Sequence, residues 1–306
     1  MLSLDGFIKK SRKKVSIFRN FRLKSPKAMT SKLTLCIPDM HLLEKGPMDD
    51  FIDENSMHLE RFLEFLDFLD DLKKKEGMEV IQVGDLYDLW QARGNTNLIV
   101  QTYRNIVGLL GKLKTVYVVG NHDIDLVRWY KDKGETFGRR WRYFSTVKGK
   151  TRVIYEHGFQ ADLANNQESW MGALGREITK IVGMMEYVHP DIDVELGSMW
   201  DGIVRLFNKY NAFSPNKDPQ GFRSHELMKY YIDLIEKYNG GHSYDHHGSD
   251  DIDLIIAVIG HTHNARLVQA PRNGRLLFLM DCGSWVNGGH EFGVLSGKDM
   301  AVCQWG

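Results

Sequence analysis

The sequence predicts an α/β fold with parallel strand pairing. Two observations carry this. The first 125 residues alternate β-rich runs with helix-period stretches, in the order strand–helix–strand–helix–strand. In addition, five apolar runs along the chain each end in a glycine or proline turn carrying Asp, Asn or His. A chain of 306 residues has room for one large domain or two small ones.

The first strand is Leu33–Ile37, ending in Pro38-Asp39-Met40-His41. Leu59, Phe62, Leu63, Leu66, Leu69 and Leu72 then recur at intervals of three and four. They predict an amphipathic helix, with Gly77 placed as its C-terminal cap. The run Glu79–Val83 leads into Gly84-Asp85-Leu86-Tyr87-Asp88. Ile99, Tyr103, Ile106, Val107 and Leu110 predict a second helix, and Thr115–Val119 a strand entering Gly120-Asn121-His122-Asp123. Further on, Arg152–Glu156 ends in His157-Gly158. Residues 163–240 are helical in pattern, with Trp170, Leu174, Ile178, Ile181 and Met185 on one face. Asp253–Ile259 is a strong strand ending in Gly260-His261-Thr262-His263. Strands near Leu276–Met280 and Met300–Gln304 close the chain.

Composition excludes several classes. The chain is 42% hydrophobic and 26% charged, which rules out wholesale disorder. The longest apolar run, Leu254 to Ile259, falls far short of the ~18 residues a membrane span needs. The N-terminus lacks the apolar core of a secretory signal. Cys36, Cys282 and Cys303 are too few for a disulfide framework and lack zinc-ribbon spacing, so a reducing cytoplasm is expected. Residues 1–32 form a basic arm, with ten Lys and Arg against Asp5 alone, although the whole chain has no net charge. The arm reads as a solvated leader or as a surface for anionic membrane or nucleic acid. No clean helical stripe runs through it, which favours the leader.

Strands of one sheet would gather the five turns at one edge, where open α/β sheets bind ligands. The gathered groups are carboxylate, imidazole and amide, without thiolate. Such donors suit Mn²⁺, Fe or Zn²⁺. Seven side chains exceed what one ion with an open position needs and suit two, with a carboxylate such as Asp85 as a bridge. Two ions clamp the attacking and leaving oxygens of a phosphoryl displacement.

Asp39-x-His41, Gly84-Asp85-x-x-Asp88, Gly120-Asn121-His122-Asp123, His157-Gly158 and Gly260-His261-x-His263 resemble the five signature blocks of the calcineurin-like metallophosphoesterase superfamily, in its order. The resemblance implies a four-layer α-β-β-α sandwich of two mixed sheets at 33–306, with 163–240 as a helical cap. It implies two divalent transition-metal ions, Mn²⁺ first, with Fe or Zn²⁺ as alternatives. Asp39, His41 and His263 would hold one ion, Asn121, His157 and His261 the other, and Asp85 both. A metal-bound hydroxide would attack, His122 would protonate the leaving oxygen, and Asp88 would orient His122.

Within the superfamily, Gly84-Asp85-Leu86-Tyr87-Asp88-Leu89-Trp90 and Gly283-Ser284-Trp285-Val286 resemble the UDP-2,3-diacylglucosamine pyrophosphatase branch of lipid A synthesis. That branch typically has arginine at the position of His122. Expelling a phosphate hardly needs an acid, whereas expelling an alkoxide gains roughly 10²–10⁴-fold from one. His122 therefore favours a phosphomonoester or phosphodiester, nucleotide- or lipid-linked, over a pyrophosphate. A non-catalytic scaffold on this fold is disfavoured because every ligand position and His122 are kept. The phosphoprotein phosphatases fit worse, since they have arginine where this chain has Leu89. Arg93 is a candidate phosphate contact, by bidentate geometry. The cluster Arg139-Arg140-Trp141-Arg142 and the loop holding His242, Asp245, His246 and His247 read as solvated surface. The stripe of Trp170, Met171, Met184, Met185 and Tyr187 reads as packing between cap helices.

Overall fold

The structure is a computed structural model and describes residues 2–23, 30, 32–44, 49, 51, 57–89, 96–124, 126, 140, 141, 143–159, 252–272, 275–286 and 288–306. Its helices are α1 (Leu4–Lys10), α2 (Met57–Glu76), α3 (Thr96–Thr102) and α4 (Arg104–Lys112). The strands are β1 (Val15–Arg22), β2 (Leu33–Ile37), β3 (Met78–Val83), β4 (Val116–Val118), β5 (Arg140–Trp141), β6 (Tyr143–Lys148), β7 (Thr151–Glu156), β8 (Leu254–Ile259), β9 (Arg266–Arg272), β10 (Arg275–Asp281), β11 (Glu291–Ser296) and β12 (Asp299–Trp305).

Two mixed sheets form, ordered β1-β12-β11-β2-β3-β4-β5 and β6-β7-β8-β10-β9. In the first, β2, β3, β4 and β5 are parallel. In the second, β7, β8 and β10 are parallel. Side-chain alternation explains the layering. Leu33, Leu35 and Ile37 of β2 face the helices, in one core with Phe62, Phe65, Leu66 and Leu69. Cys36 faces the other way. With Ile81, Val83 and Val118 it meets Val153, Tyr155, Ile256, Val258, Phe278 and Met280 of the second sheet. Central strands buried on both faces read as continuous apolar runs, as β8 does. The described residues thus stack helices, sheet and sheet. The expected cap at 163–240 and the stripe at Trp170 and Met185 lie outside them. Among the described residues, no helix is long and apolar enough to cross a membrane.

The helix read from Leu59 to Leu72 is α2, and Gly77 caps it at φ 65° with its N–H on Lys73 O at 3.1 Å. The second expected helix is two. Tyr103 leaves the helical region (φ −107°, ψ 33°) between α3 and α4, and its hydroxyl donates to buried Asp49.

The basic arm also differs from a solvated leader. Phe7 of α1 is wholly buried against Phe68 and Phe292, and β1 pairs antiparallel with β12 along the sheet edge. Lys10 pairs with Glu76 at 2.6 Å, and Lys14 pairs with Glu64. Sequence pattern missed β1 because Ser16 to Asn20 are exposed on both faces of the strand, so no apolar alternation marks it.

Candidate metal centre

Six of the parallel strands, three from each sheet, bring site residues to one edge from their carboxyl ends. β2 delivers Asp39 and His41, β3 delivers Asp85 and Asp88, and β4 delivers Asn121 and His122. From the second sheet, β7 delivers His157 and β8 delivers His261 and His263. The sixth, β10, delivers Gly283 to Trp285. There Trp285 N–H donates to Asp39 O at 2.8 Å, and an isolated parallel bridge joins Asp39 to Ser284. The two sheets are thereby tied together at the site.

All the sequence-predicted groups at this edge converge, except Arg93, which lies outside the described residues. Asp39, His41 and His263 form one group whose donor atoms lie within 4.8 Å of one another, and Asp85, His157 and His261 form another. Asn121 joins the second, its Oδ1 at 3.1 Å from His157 Nε2. Asp85 Oδ2 faces both, at 3.0 Å from His157 Nε2 and 3.5 Å from His41 Nε2. His263 Nε2 is 3.0 Å from Asp39 Oδ2. A third grouping is His41, Asp88 and His122, with His122 Nδ1 at 3.1 Å from Asp88 Oδ1. The rings of His41 and His122 meet edge to face at 4.4 Å.

The donor set fits cations. His157 Nδ1 lies 3.0 Å from Val83 O, a pure acceptor, so that nitrogen carries the ring proton. In the neutral ring, Nε2 then directs a lone pair at two acceptor oxygens, of Asp85 and Asn121. Three acceptors meeting without a donor call for a positive ion. His41 Nε2, buried between Asp39 and Asp85, makes no hydrogen bond. The field has the same sign. Burial pushes His157 down, but the charges of Asp85 and Asp39 outweigh it and raise the ring to about 9. Burial likewise opposes ionisation of Asp88, yet His122 and His41 hold it well below the usual carboxylate range.

The backbone is bent to make this geometry. His41, Asp85, His261 and His263 all have left-handed φ, between 47° and 68°. Non-glycine residues rarely hold that region, and then where the surroundings impose it. Close approach explains two glycines of the motifs. A Cβ at Gly84 would collide with the His157 ring, and one at Gly260 with Asp39 Oδ1.

Two buried acids escaped the sequence reading. Asp123 accepts from the N–H of Leu86 (2.8 Å), Tyr87 (3.3 Å) and Gly120 (2.6 Å), and from the Tyr117 hydroxyl. It therefore staples the turn after β3 to the turn after β4. Burial, then the charge of Asp85, raises it to about 6. Its place in Gly120-Asn121-His122-Asp123 was the available signal. Asp281, at the end of β10, had none.

A model of the calcineurin-like phosphoesterase family matches residues 33–265, which include every donor just described. The chain belongs to that family. It is a metal-dependent phosphohydrolase, a metallophosphoesterase, and its His/Asp groups could hold metal ions. No curated protein matches the sequence. Among solved structures, this phosphoesterase is similar to YfcE, a phosphoesterase from E. coli, with 15% identity, 86% of this chain and 88% of that one covered, and TM-score 0.35. It is similar to a dimetal phosphatase from Danio rerio, with 10% identity, 90% and 99% covered, and TM-score 0.39. It is similar too to Vacuolar Protein Sorting 29 from Cryptosporidium parvum, with 15% identity, 87% and 86% covered, and TM-score 0.34.

Proposed function

We propose that this phosphoesterase hydrolyses a small phosphomonoester or phosphodiester at a binuclear centre, with His122 as the acid for the leaving oxygen. The observation that carries the reading is the pairing of His122 with Asp88 beside both ligand groups. Asp39, His41 and His263 would hold one ion, Asn121, His157 and His261 the other, and Asp85 would face both. The N and O donors suit Mn²⁺, with Fe or Zn²⁺ as alternatives. Bound divalent ions supply Lewis acidity and a water of lowered pKa.

The protein's own part is positioning and proton transfer. Asp88 Oδ1 faces Nδ1 of His122 at 3.1 Å and orients the ring, which leaves Nε2 to hold a proton for the departing alkoxide. Half-buried His122 and exposed His263 leave that side of the site open to a substrate. The enzyme would work in a reducing cytoplasm, which its three free, buried cysteines support.

For residues 163–240 we retain a helical cap that selects substrates. The chain enters its connection beside His157, which supports this.

The test is a substrate panel with Mn²⁺: alkyl phosphates, phosphodiesters, p-nitrophenyl phosphate and nucleotide-sugar pyrophosphates. His122→Ala should cost roughly 10²–10⁴-fold on an alkyl phosphate and far less on p-nitrophenyl phosphate, whose phenoxide leaves unaided. Equal losses on the two would refute the acid role. Turnover confined to the pyrophosphates would overturn the ester reading.

A further inference from the structure

Beside the Gly260-His261-Thr262-His263 turn lies a polar cluster that is not part of the ligand groups. Asp281 ends β10, and its backbone is paired with Ile259 of β8 on one side and Arg266 of β9 on the other. Its side chain is wholly buried. Its Oδ2 accepts from the Thr262 hydroxyl and lies 3.4 Å from Arg266 Nε, while its Oδ1 takes the Gly283 N–H at 3.3 Å. Arg266 Nη2 donates to Thr262 Oγ1 at 3.2 Å. Arg266, Asp281 and Thr262 thus close a ring of contacts, and Thr262 N–H also folds back onto Gly260 O at 2.8 Å.

The ring grips the turn at its middle residue. Thr262 is flanked by His261 at φ 68° and His263 at φ 52°, and both conformations cost free energy unless the surroundings impose them. The two histidines also belong to different groups, His261 with Asp85 and His157, and His263 with Asp39 and His41. A buried acid beside an arginine is a weak source of stability, since a well-packed apolar pair can serve as well. Holding a strained turn gives the cluster a purpose that packing alone does not.

We propose that Arg266, Asp281 and Thr262 are positioning residues that clamp the His261–His263 turn and so set the metal affinity of both groups together. The inference rests on the binuclear reading above. Contacts of this kind, made to the groups that carry metal ligands, typically change affinity 10–100-fold when lost.

The experiment is calorimetric titration of Mn²⁺ into the full chain stripped with chelator, alongside thermal melting of the stripped protein. Thr262→Val keeps the shape and removes the hydroxyl, Thr262→Ser keeps the hydroxyl, and Asp281→Asn removes the charge. Thr262→Val and Asp281→Asn should each weaken both binding steps by roughly 10–100-fold, and Thr262→Ser should bind within about threefold of wild type. A purely structural brace would lower the melting temperature and leave both affinities unchanged, which would overturn the proposal. Weakening of one step alone would overturn its claim that both groups share the clamp. Thr262→Val decides by itself should Asp281→Asn fail to fold. Failure of the wild-type chain to take up two ions is a separate outcome, and it would sink the binuclear reading first.

Discussion

Asp85 concentrates most of the chemistry in one side chain. Its Oδ2 faces His41 and His157, and its Oδ1 takes the His122 N–H at 2.9 Å. Burial acts to keep its carboxyl neutral, but the histidines around it hold it ionised, well below the usual carboxylate range. Asp85→Asn keeps the size and one acceptor and removes the charge. Protein of that variant, purified without chelator, should carry less metal at both positions by elemental analysis. Occupancy equal to wild type would show that Asp85 is not shared. Asp85, like the other candidate donors, was legible because each sits in a glycine or proline turn at the end of an apolar run. Asp281 was not, because its partners Thr262 and Arg266 are brought to it only by β-pairing.

The edge element β1 is where local pattern said least. Phe7 and Val15 were visible as apolar residues, but no period linked them, since α1 has only seven residues and β1 is exposed from Ser16 to Asn20. What orders them is a distant surface, the exposed edge of β12 and the aromatic cluster of Phe68 and Phe292. Phe7→Ala should therefore cost about 3–5 kcal/mol in urea unfolding, as a buried aromatic does. A residue on a solvated leader would stay within about 0.5 kcal/mol. The cut between α3 and α4 has the same origin. Ile99, Ile106 and Leu110 keep helical spacing, and the break at Tyr103 coincides with its bond to Asp49, 54 residues away.

The whole molecule carries an excess of negative groups at its core edge, which gives the stripped protein a defined pH response. Despite burial, carboxylates raise His157 from 6.5 to about 9, and burial raises Asp281 from 3.8 to about 7. Each group binds its proton more tightly folded than unfolded. The His157 contribution is fully present below about 6.5 and is lost as pH rises through about 9. The Asp281 contribution is lost from about 4 through 7. In chelator, the urea midpoint should therefore fall between pH 6 and pH 9. With saturating Mn²⁺ the fall should shrink or reverse, because histidine binds metal only when deprotonated. A flat profile in chelator would show that these charges are not coupled to folding.

The sequence by itself determined the candidate donors, their order and the strand ends that carry them, because glycine or proline turns and apolar runs are written in adjacent residues. It also determined α2 and its cap, through spacing and Gly77. Tertiary structure alone decided how the segments interleave. It placed β10 beside β8 and β11 beside β2, so that six strand ends from two sheets face one point. It drew the basic arm onto β12 and put Asp123 and Asp281 under the turns. Each of these depends on closing long loops between surfaces that are complementary only once folded, and no local period in the chain records that complementarity.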